Sequence, residues 1–224
     1  MPHRRKNPLK LVIFDLDGVI CDSEILHKFA KVTILKDLAH VADVDLSWSV
    51  GFPLRDMWSR LIAEYQLQMT PEELERKQYD VILDQMKAQN MDMSHGLREL
   101  MIWLKARDIQ LGLCSSSNRY YVDRVVDHFN LRDMFDYVVA GDEVPQKKPA
   151  PDGYLKLLKL ANVPAKSAIA IEDSHAGSSA AVTAGITCIG YVNPTSGNQD
   201  LSHATWLVDD LCAIPSFLFE RIPA

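Results

Sequence analysis

Residues Leu11-Val-Ile-Phe set an unbroken apolar run against Asp15-Leu-Asp17-Gly18, two carboxylates one residue apart followed by a glycine. A run without polar alternation reads as a strand buried on both faces, the inner strand of a parallel sheet. Such sheets bind ligands beyond the carboxyl ends of their strands, which is where these acids stand. Residues i and i+2 of an extended chain point the same way, so Asp15 and Asp17 face one pocket if strand geometry persists. Two acids this close repel unless a cation or a proton is shared between them. An ordinary Asx turn is the alternative, because Asp and Gly both favour turns.

The rest of the chain supplies a sheet for that strand. Strand-like segments at Ile109 to Cys114, Tyr137 to Ala140, Ala168 to Ile171, Thr187 to Tyr191 and Thr205 to Val208 alternate with helix-like ones at Gly96 to Arg107, Arg119 to Phe129, Gly153 to Ala161 and Gly177 to Ala184. Alternation of this kind is the signature of βαβ units, and Gly185 stands where the last of these helices should stop. The first strand, Leu9 to Phe14, is separated from the series by a stretch far too long for a single crossover. An insert is implied, covering residues 23–92, with the core made of residues 1–22 and 93–224. The insert has a helical pattern. Its first helix suggests an apolar face of Leu26, Phe29, Val32, Thr33 and Lys36 to Leu38, and Thr70-Pro71-Glu72-Glu73 is a capped helix start.

Composition narrows the function classes. A chain of 224 residues that is 47% hydrophobic is globular, and a net charge of −6 offers no basic footprint for nucleic acid. The cluster His3-Arg4-Arg5-Lys6 is too short to change that and reads as a solvated terminus. No apolar stretch approaches the roughly 20 residues that span a membrane, and the basic start lacks the apolar core of a signal peptide. A cytoplasmic protein without membrane or nucleic-acid partners is expected. Cys21, Cys114, Cys188 and Cys212 are widely spaced with no CxxC, which suggests neither a zinc knuckle nor a disulfide framework.

Three further segments repeat the pattern of chemistry after an apolar run. Leu111-Gly-Leu-Cys-Ser115-Ser116-Ser117-Asn118 ends a strand in hydroxyls, Lys147-Lys148-Pro149-Ala150-Pro151-Asp152 offers a cation among prolines before a helix, and Ile169-Ala-Ile-Glu172-Asp173-Ser174-His175-Ala176-Gly177 ends a second strand in paired acids. In this order, with the Asp15 segment, they resemble the four motifs of the haloacid dehalogenase superfamily of phosphohydrolases, specifically the branch containing β-phosphoglucomutase and small sugar-phosphate phosphatases. The resemblance runs from about Leu11 to about Phe219. It implies a doubly wound, Rossmann-like parallel α/β sheet with an inserted small α-helical cap domain.

It also implies roles. Asp15 matches the nucleophile that forms an aspartyl-phosphate, and Asp17 the general acid/base that protonates the leaving oxygen and then activates water. Haloacid dehalogenases and phosphonate hydrolases lack an acid at the second position, so phosphate esters are favoured. Ser115 matches the hydroxyl that binds a phosphoryl oxygen, with Ser116 and Asn118 as added donors; Ser117 is equally readable as a cap. Lys148 matches the lysine that neutralises nucleophile and phosphate, leaving Lys147 in solvent. The family uses Mg²⁺, with Asp15 and Asp173 giving carboxylates, Asp17 a backbone carbonyl, and Glu172 supporting directly or through water. Glu172 and Asp173 also suit a helix N-terminus capped by Ser174.

In the insert, His27 aligns with a histidine that β-phosphoglucomutase places near its general acid, while Ser23 and Glu24 look more like the entry of phosphatases. Gly51-Phe52-Pro53-Leu54-Arg55 resembles the cap specificity loop, with Arg55 suited to a remote phosphate or carboxylate; a solvated arginine at a helix start is the alternative. The expectation is a Mg²⁺-dependent phosphatase for a small phosphorylated metabolite, a sugar or sugar-acid phosphate, acting as a monomer, with oligomers left open. A phosphomutase is the enzymatic alternative. A phospho-acceptor signalling domain and an idle binding protein are the non-enzymatic ones; the former carries its acceptor Asp on a later strand and lacks a cap-sized insert, and the latter usually lacks motif residues, none of which is missing here.

Overall fold

The computed structural model describes residues 8–41, 44–49 and 52–218; the basic cluster His3 to Lys6, Gly51 and Phe219 lie outside them. The chain divides into two compact units, residues 1–22 with 92–224 and residues 23–91.

In the first unit six strands form one sheet: β1 (Leu11–Phe14), β2 (Gln110–Cys114), β3 (Tyr137–Val139), β4 (Ala168–Glu172), β5 (Thr187–Tyr191) and β6 (Trp206–Val208). Their order is β3-β2-β1-β4-β5-β6 and every pairing is parallel. The chain therefore builds outward from β1 to one side, then returns and builds outward to the other. Strand order reverses at β1, and a crevice opens at such a switch point beyond the carboxyl ends. The apolar run before Asp15 is that central strand, and all four of its residues are fully buried.

Among its described residues this unit also has five helices, α4 (Leu97–Lys105), α5 (Arg119–His128), α6 (Asp152–Ala161), α7 (His175–Thr183) and α8 (Ile214–Leu218); α4, α6 and α7 pack on the sheet. Leu11 and Ile13 of β1 share a core with Tyr154, Leu157 and Leu158 of α6 and with Ala180 and Ala181 of α7. Each large aliphatic side chain so buried is worth about 1.5–3 kcal/mol. Gly112 of β2 belongs to this packing, since a Cβ there would lie 3.1 Å from Leu157 Cδ2. Gly185, at φ +78, ends α7's last turn, a conformation in which any Cβ is strained.

The second unit is helical: α1 (Glu24–Ala39), α2 (Leu54–Tyr65) and α3 (Pro71–Ala88). The Thr70 side chain accepts from the Glu73 backbone N–H, and Glu73 reaches back to the Thr70 N–H at 2.8 Å, so two orphan donors of α3 are satisfied reciprocally. The buried stripe of α1 differs from the one expected from sequence. Leu26, Ala30, Ile34 and Leu35 are buried, whereas Phe29 is 44% and Leu38 38% exposed. The contiguous i, i+4, i+8 row Leu26, Ala30, Ile34 lines one side of the helix, and a small alanine in its middle hid it from a reading that weighted bulky residues. Gln78, fully buried on α3, accepts from Trp58 Nε1 of α2 at 2.9 Å and lies 3.0 Å from His27 Nδ1 of α1. One amide thereby links all three helices.

Candidate active site

The sheet register delivers the acids. Phe14 is paired with Leu113 of β2 and Ile171 of β4, and one residue further on the Asp15 N–H donates to the Ile171 carbonyl at 3.0 Å. Asp15 thus continues the β1 ladder level with Cys114 and Glu172. Carboxylate oxygens of Asp15, Glu172 and Asp173, all buried, lie within 4.8 Å of one another.

Lys148 arrives from the segment between β3 and α6. Its ammonium lies 2.5 Å from Asp15 Oδ1, 2.6 Å from Glu172 Oε1 and 2.8 Å from the Cys114 carbonyl. An ammonium has three donors, and each has an acceptor. Burial on its own would lower the Lys148 pKa, but the Asp15 and Glu172 carboxylates hold it well above the usual lysine value. Burial also pushes Asp15 well above the ordinary carboxylate range, aided by the charge of Glu172 and opposed by Lys148. Asp173 is raised to about 7 by burial and then by Glu172, with the Ser196 hydroxyl acting the other way. The site holds more negative charge than one lysine balances.

Two glycines let the acids approach. A Cβ at Gly18, which sits at φ +81, would collide with the Asp173 carboxylate, and one at Gly177 would collide with that of Glu172. Asn193 fixes the loop after β1 by donating to the Gly18 carbonyl at 2.8 Å and to Asp22 Oδ1 at 2.5 Å. Asp17, two residues beyond the nucleophile candidate, accepts from Ser117 Oγ at 3.0 Å and from Tyr121 Oη at 3.2 Å. Its two oxygens are therefore held separately.

The other expected residues divide. Ser115 is buried at the end of β2, where its Oγ accepts the Ser117 N–H at 3.0 Å, and Ser116 beside it is partly exposed. Asn118 is the N-cap of α5, its side-chain oxygen taken by the Tyr121 N–H at 3.1 Å, which leaves its amide NH2 as the group that can donate. Ser174 caps α7 through the Gly177 N–H. Glu172, expected as a supporting metal acid, has a structural hold on the lysine as well: the oxygen that faces Lys148 also accepts the Tyr154 hydroxyl. Lys147 is partly buried rather than in solvent. Its aliphatic stem packs near Gly141.

Arg55 and His27 belong to the helical unit. Arg55 pairs with Glu72 at 3.1 Å and with Glu75 at 3.2 Å, because the first turn of α2 faces the acidic first turns of α3; its charge meets carboxylates of its own unit. His27 meets Gln78 and lies edge-on to Tyr79.

Tyr121, Tyr154, Asn193 and Ser196 carry no motif signal. The only trace of them in the sequence is a polar group on an otherwise apolar helix face, as for Tyr121 and Tyr154, or a polar residue in the loop after a strand, as for the other two.

The three acids fit a hard divalent cation. They supply oxygen donors of the kind Mg²⁺ takes, they are buried together, and a cation would offset the burial and the mutual repulsion that raise Asp15 and Asp173.

Known proteins resemble this chain in sequence and in fold. CbbY of Rhodobacter capsulatus is 28% identical over 230 residues, which span 96% of this chain and 99% of that one. A phosphorylated carbohydrates phosphatase of Thermotoga maritima is 28% identical over 88% of this chain and 91% of its own. The fold is shared with the crystal structure of CbbY from Rhodobacter sphaeroides in complex with phosphate, at a TM-score of 0.82 and 23% identity over 92% of this chain and 96% of that one. The family model of haloacid dehalogenase-like hydrolases matches residues 12–191, a span that includes Asp15, Asp17, Ser115, Lys148, Glu172 and Asp173, and the chain belongs to that family.

Proposed function

We propose that this protein is a Mg²⁺-dependent phosphatase that hydrolyses a small phosphorylated sugar or sugar acid through an aspartyl-phosphate on Asp15. The observation that carries the reading is the 2.5 Å contact of Lys148 Nζ with Asp15 Oδ1, beside an Asp17 whose carboxylate is held by two hydroxyls. The names of the relatives, a phosphorylated carbohydrates phosphatase and several phosphoglycolate phosphatases, support the substrate class.

In the first step an Asp15 oxygen attacks phosphorus, the phosphorus–oxygen ester bond breaks, and Asp17 gives its proton to the departing alkoxide. In the second, Asp17 takes a proton from water, the water oxygen attacks phosphorus, and the acyl-phosphate bond breaks to return the Asp15 carboxylate and release inorganic phosphate. Ser117 and Tyr121 keep Asp17 aimed through both transfers. Lys148 and the Ser115 hydroxyl offset charge on the phosphoryl oxygens, and Glu172 with Tyr154 holds the lysine in place. Asp15, Asp173 and the Asp17 carbonyl would hold Mg²⁺, with Glu172 at hand; the ion supplies positive charge that makes the approach of two anions tolerable.

Residues 23–91 are read as a cap that carries substrate selectivity, since they interrupt the core between β1 and α4. A cytoplasmic monomer belongs to the same reading, supported by four free cysteines of the kind a reducing compartment maintains; no helix among the described residues is long and apolar enough to cross a membrane. The test is phosphate release from a panel of sugar, sugar-acid, nucleotide and short-chain phosphates with Mg²⁺, using Asp15→Asn as the blank. Turnover of no monoester above that blank refutes the proposal.

A further inference from the structure

Two groups of three side chains among the described residues bring candidate ligand atoms within 4.8 Å of one another, and the second of them is His95, Asp210 and Cys212, all exposed. None has a role in the reaction above. We propose that these three residues form a surface site for a borderline divalent transition ion, zinc above all, which ties the segment before α4 to the turn after β6.

The three come from two places in the chain. His95 directly precedes Gly96, the N-cap of α4. Asp210 caps the short 3-10 turn Leu211–Ala213, its Oδ1 accepting the Cys212 N–H at 2.9 Å, which sets the carboxylate beside the thiol. His95 Nδ1 stands 3.7 Å from Asp210 Oδ1 and 4.0 Å from Cys212 Sγ. The first separation is too long for a nitrogen–oxygen hydrogen bond. Both are close to the edges of a tetrahedral zinc shell: with Zn–N and Zn–O near 2.0–2.1 Å and Zn–S near 2.3 Å, ligand atoms stand about 3.3–3.6 Å apart. A shift of a few tenths of an ångström closes the shell, and His95, with 88% of its side chain exposed, is free to make it.

Local backbone supports the approach. Gly96 has φ +75, and a Cβ there would collide with Cys212 Sγ, so the absent side chain is what lets the thiol lie over the start of α4. The charges of Asp210 and Glu99 both bear on that sulfur, which makes the local field one that attracts cations. Imidazole, thiolate and carboxylate together favour zinc and its transition-metal neighbours over Mg²⁺ or Ca²⁺, which take oxygen alone. Three protein ligands leave the fourth position to water. Binding forms a metal–sulfur bond and releases the thiol proton to solvent. Because the ligands His95 and Cys212 are 117 residues apart in sequence, the ion cross-links distant parts of one unit and stabilises them by mass action.

The test uses the full-length reduced protein in excess Mg²⁺, which satisfies the oxygen-only acids, titrated with Co²⁺ and then Zn²⁺. One equivalent of Co²⁺ should produce a thiolate-to-cobalt charge-transfer band that Zn²⁺ removes, and stoichiometric Zn²⁺ should slow alkylation of Cys212, followed by mass spectrometry, at least about tenfold. Cys212→Ser should abolish the band, and His95→Ala should weaken Co²⁺ binding by about tenfold or more. Absence of a thiolate band overturns the site, as does a band that survives Cys212→Ser or an affinity indifferent to both His95→Ala and Asp210→Asn. All these readouts are independent of phosphatase activity.

Discussion

Tyr121 and Asp17 lie 104 residues apart in sequence, yet the Tyr121 hydroxyl donates to Asp17 Oδ1 at 3.2 Å. Tyr121 is fully buried on α5, so its ring cannot swing away and the hydroxyl is a fixed stop for the carboxylate. Tyr121→Phe keeps the shape and removes that stop. The expected result is a fall in kcat of about tenfold with little change in KM, because an acid/base that wanders loses transition-state contact more than ground-state binding. Steady-state kinetics on the best substrate measure it, and an unchanged kcat would show that Asp17 is aimed without the Tyr121 hydroxyl.

Asp15→Asn should retain the fold and lose at least about 10³-fold in turnover, since the amide matches the acid in shape but cannot attack phosphorus. Circular dichroism checks the first half and phosphate release the second. Beryllofluoride, a mimic of the phosphorylated acid, should bind the native protein and not the variant. Full activity in purified Asp15→Asn would falsify the nucleophile assignment.

Lys148→Ala should cost far more than Lys147→Ala, in both rate and stability. Removing the ammonium leaves Asp15 and Glu172 facing one another in a buried site, and breaking a buried pair from one side costs about 3–5 kcal/mol. Tyr154→Phe, which takes a hydroxyl from Glu172, should cost about 1–3 kcal/mol. Urea unfolding of the three variants gives the ranking. Equal, small losses for the two lysines would remove Lys148 from the site.

Chelation of divalent ions should abolish turnover, and Mg²⁺ should restore it better than Ca²⁺, whose larger and looser shell misplaces a phosphoryl group. Asp173→Ala should raise the Mg²⁺ concentration needed for half-maximal rate. A rate indifferent to chelator and to Asp173→Ala argues that the acid cluster is structural.

Hydrolysis and phosphoryl return to a sugar part company after the aspartyl-phosphate forms. Incubation with β-glucose 1-phosphate and a trace of the bisphosphate, followed by NMR, should show inorganic phosphate and no glucose 6-phosphate. Rapid isomerisation with negligible free phosphate would make the protein a mutase and promote His27, which in this structure engages Gln78, to a role in the reaction.

Chemistry that lies at the end of one's own strand is legible in sequence. The apolar run before Asp15, the hydroxyls after β2, the acids after β4 and the capped start of α3 each announce themselves locally, because strand burial, turn formation and capping act over a few residues. The interruption after β1 is legible for another reason, since its length exceeds what one crossover needs. What the sequence could not disclose is which group holds which. Ser117 and Tyr121 on Asp17, Tyr154 on Glu172, Ser196 on Asp173 and Asn193 on the loop after β1 are all contacts across tens to hundreds of residues. Arg55 shows the converse, since two nearby carboxylates pair with a group whose type also suits a ligand. A side chain's residue type sets what it is able to bind; only the packing of the sheet and its helices determines which partner lies within about 3 Å, and a buried polar group takes that partner because leaving it unpaired costs more than the bond itself yields.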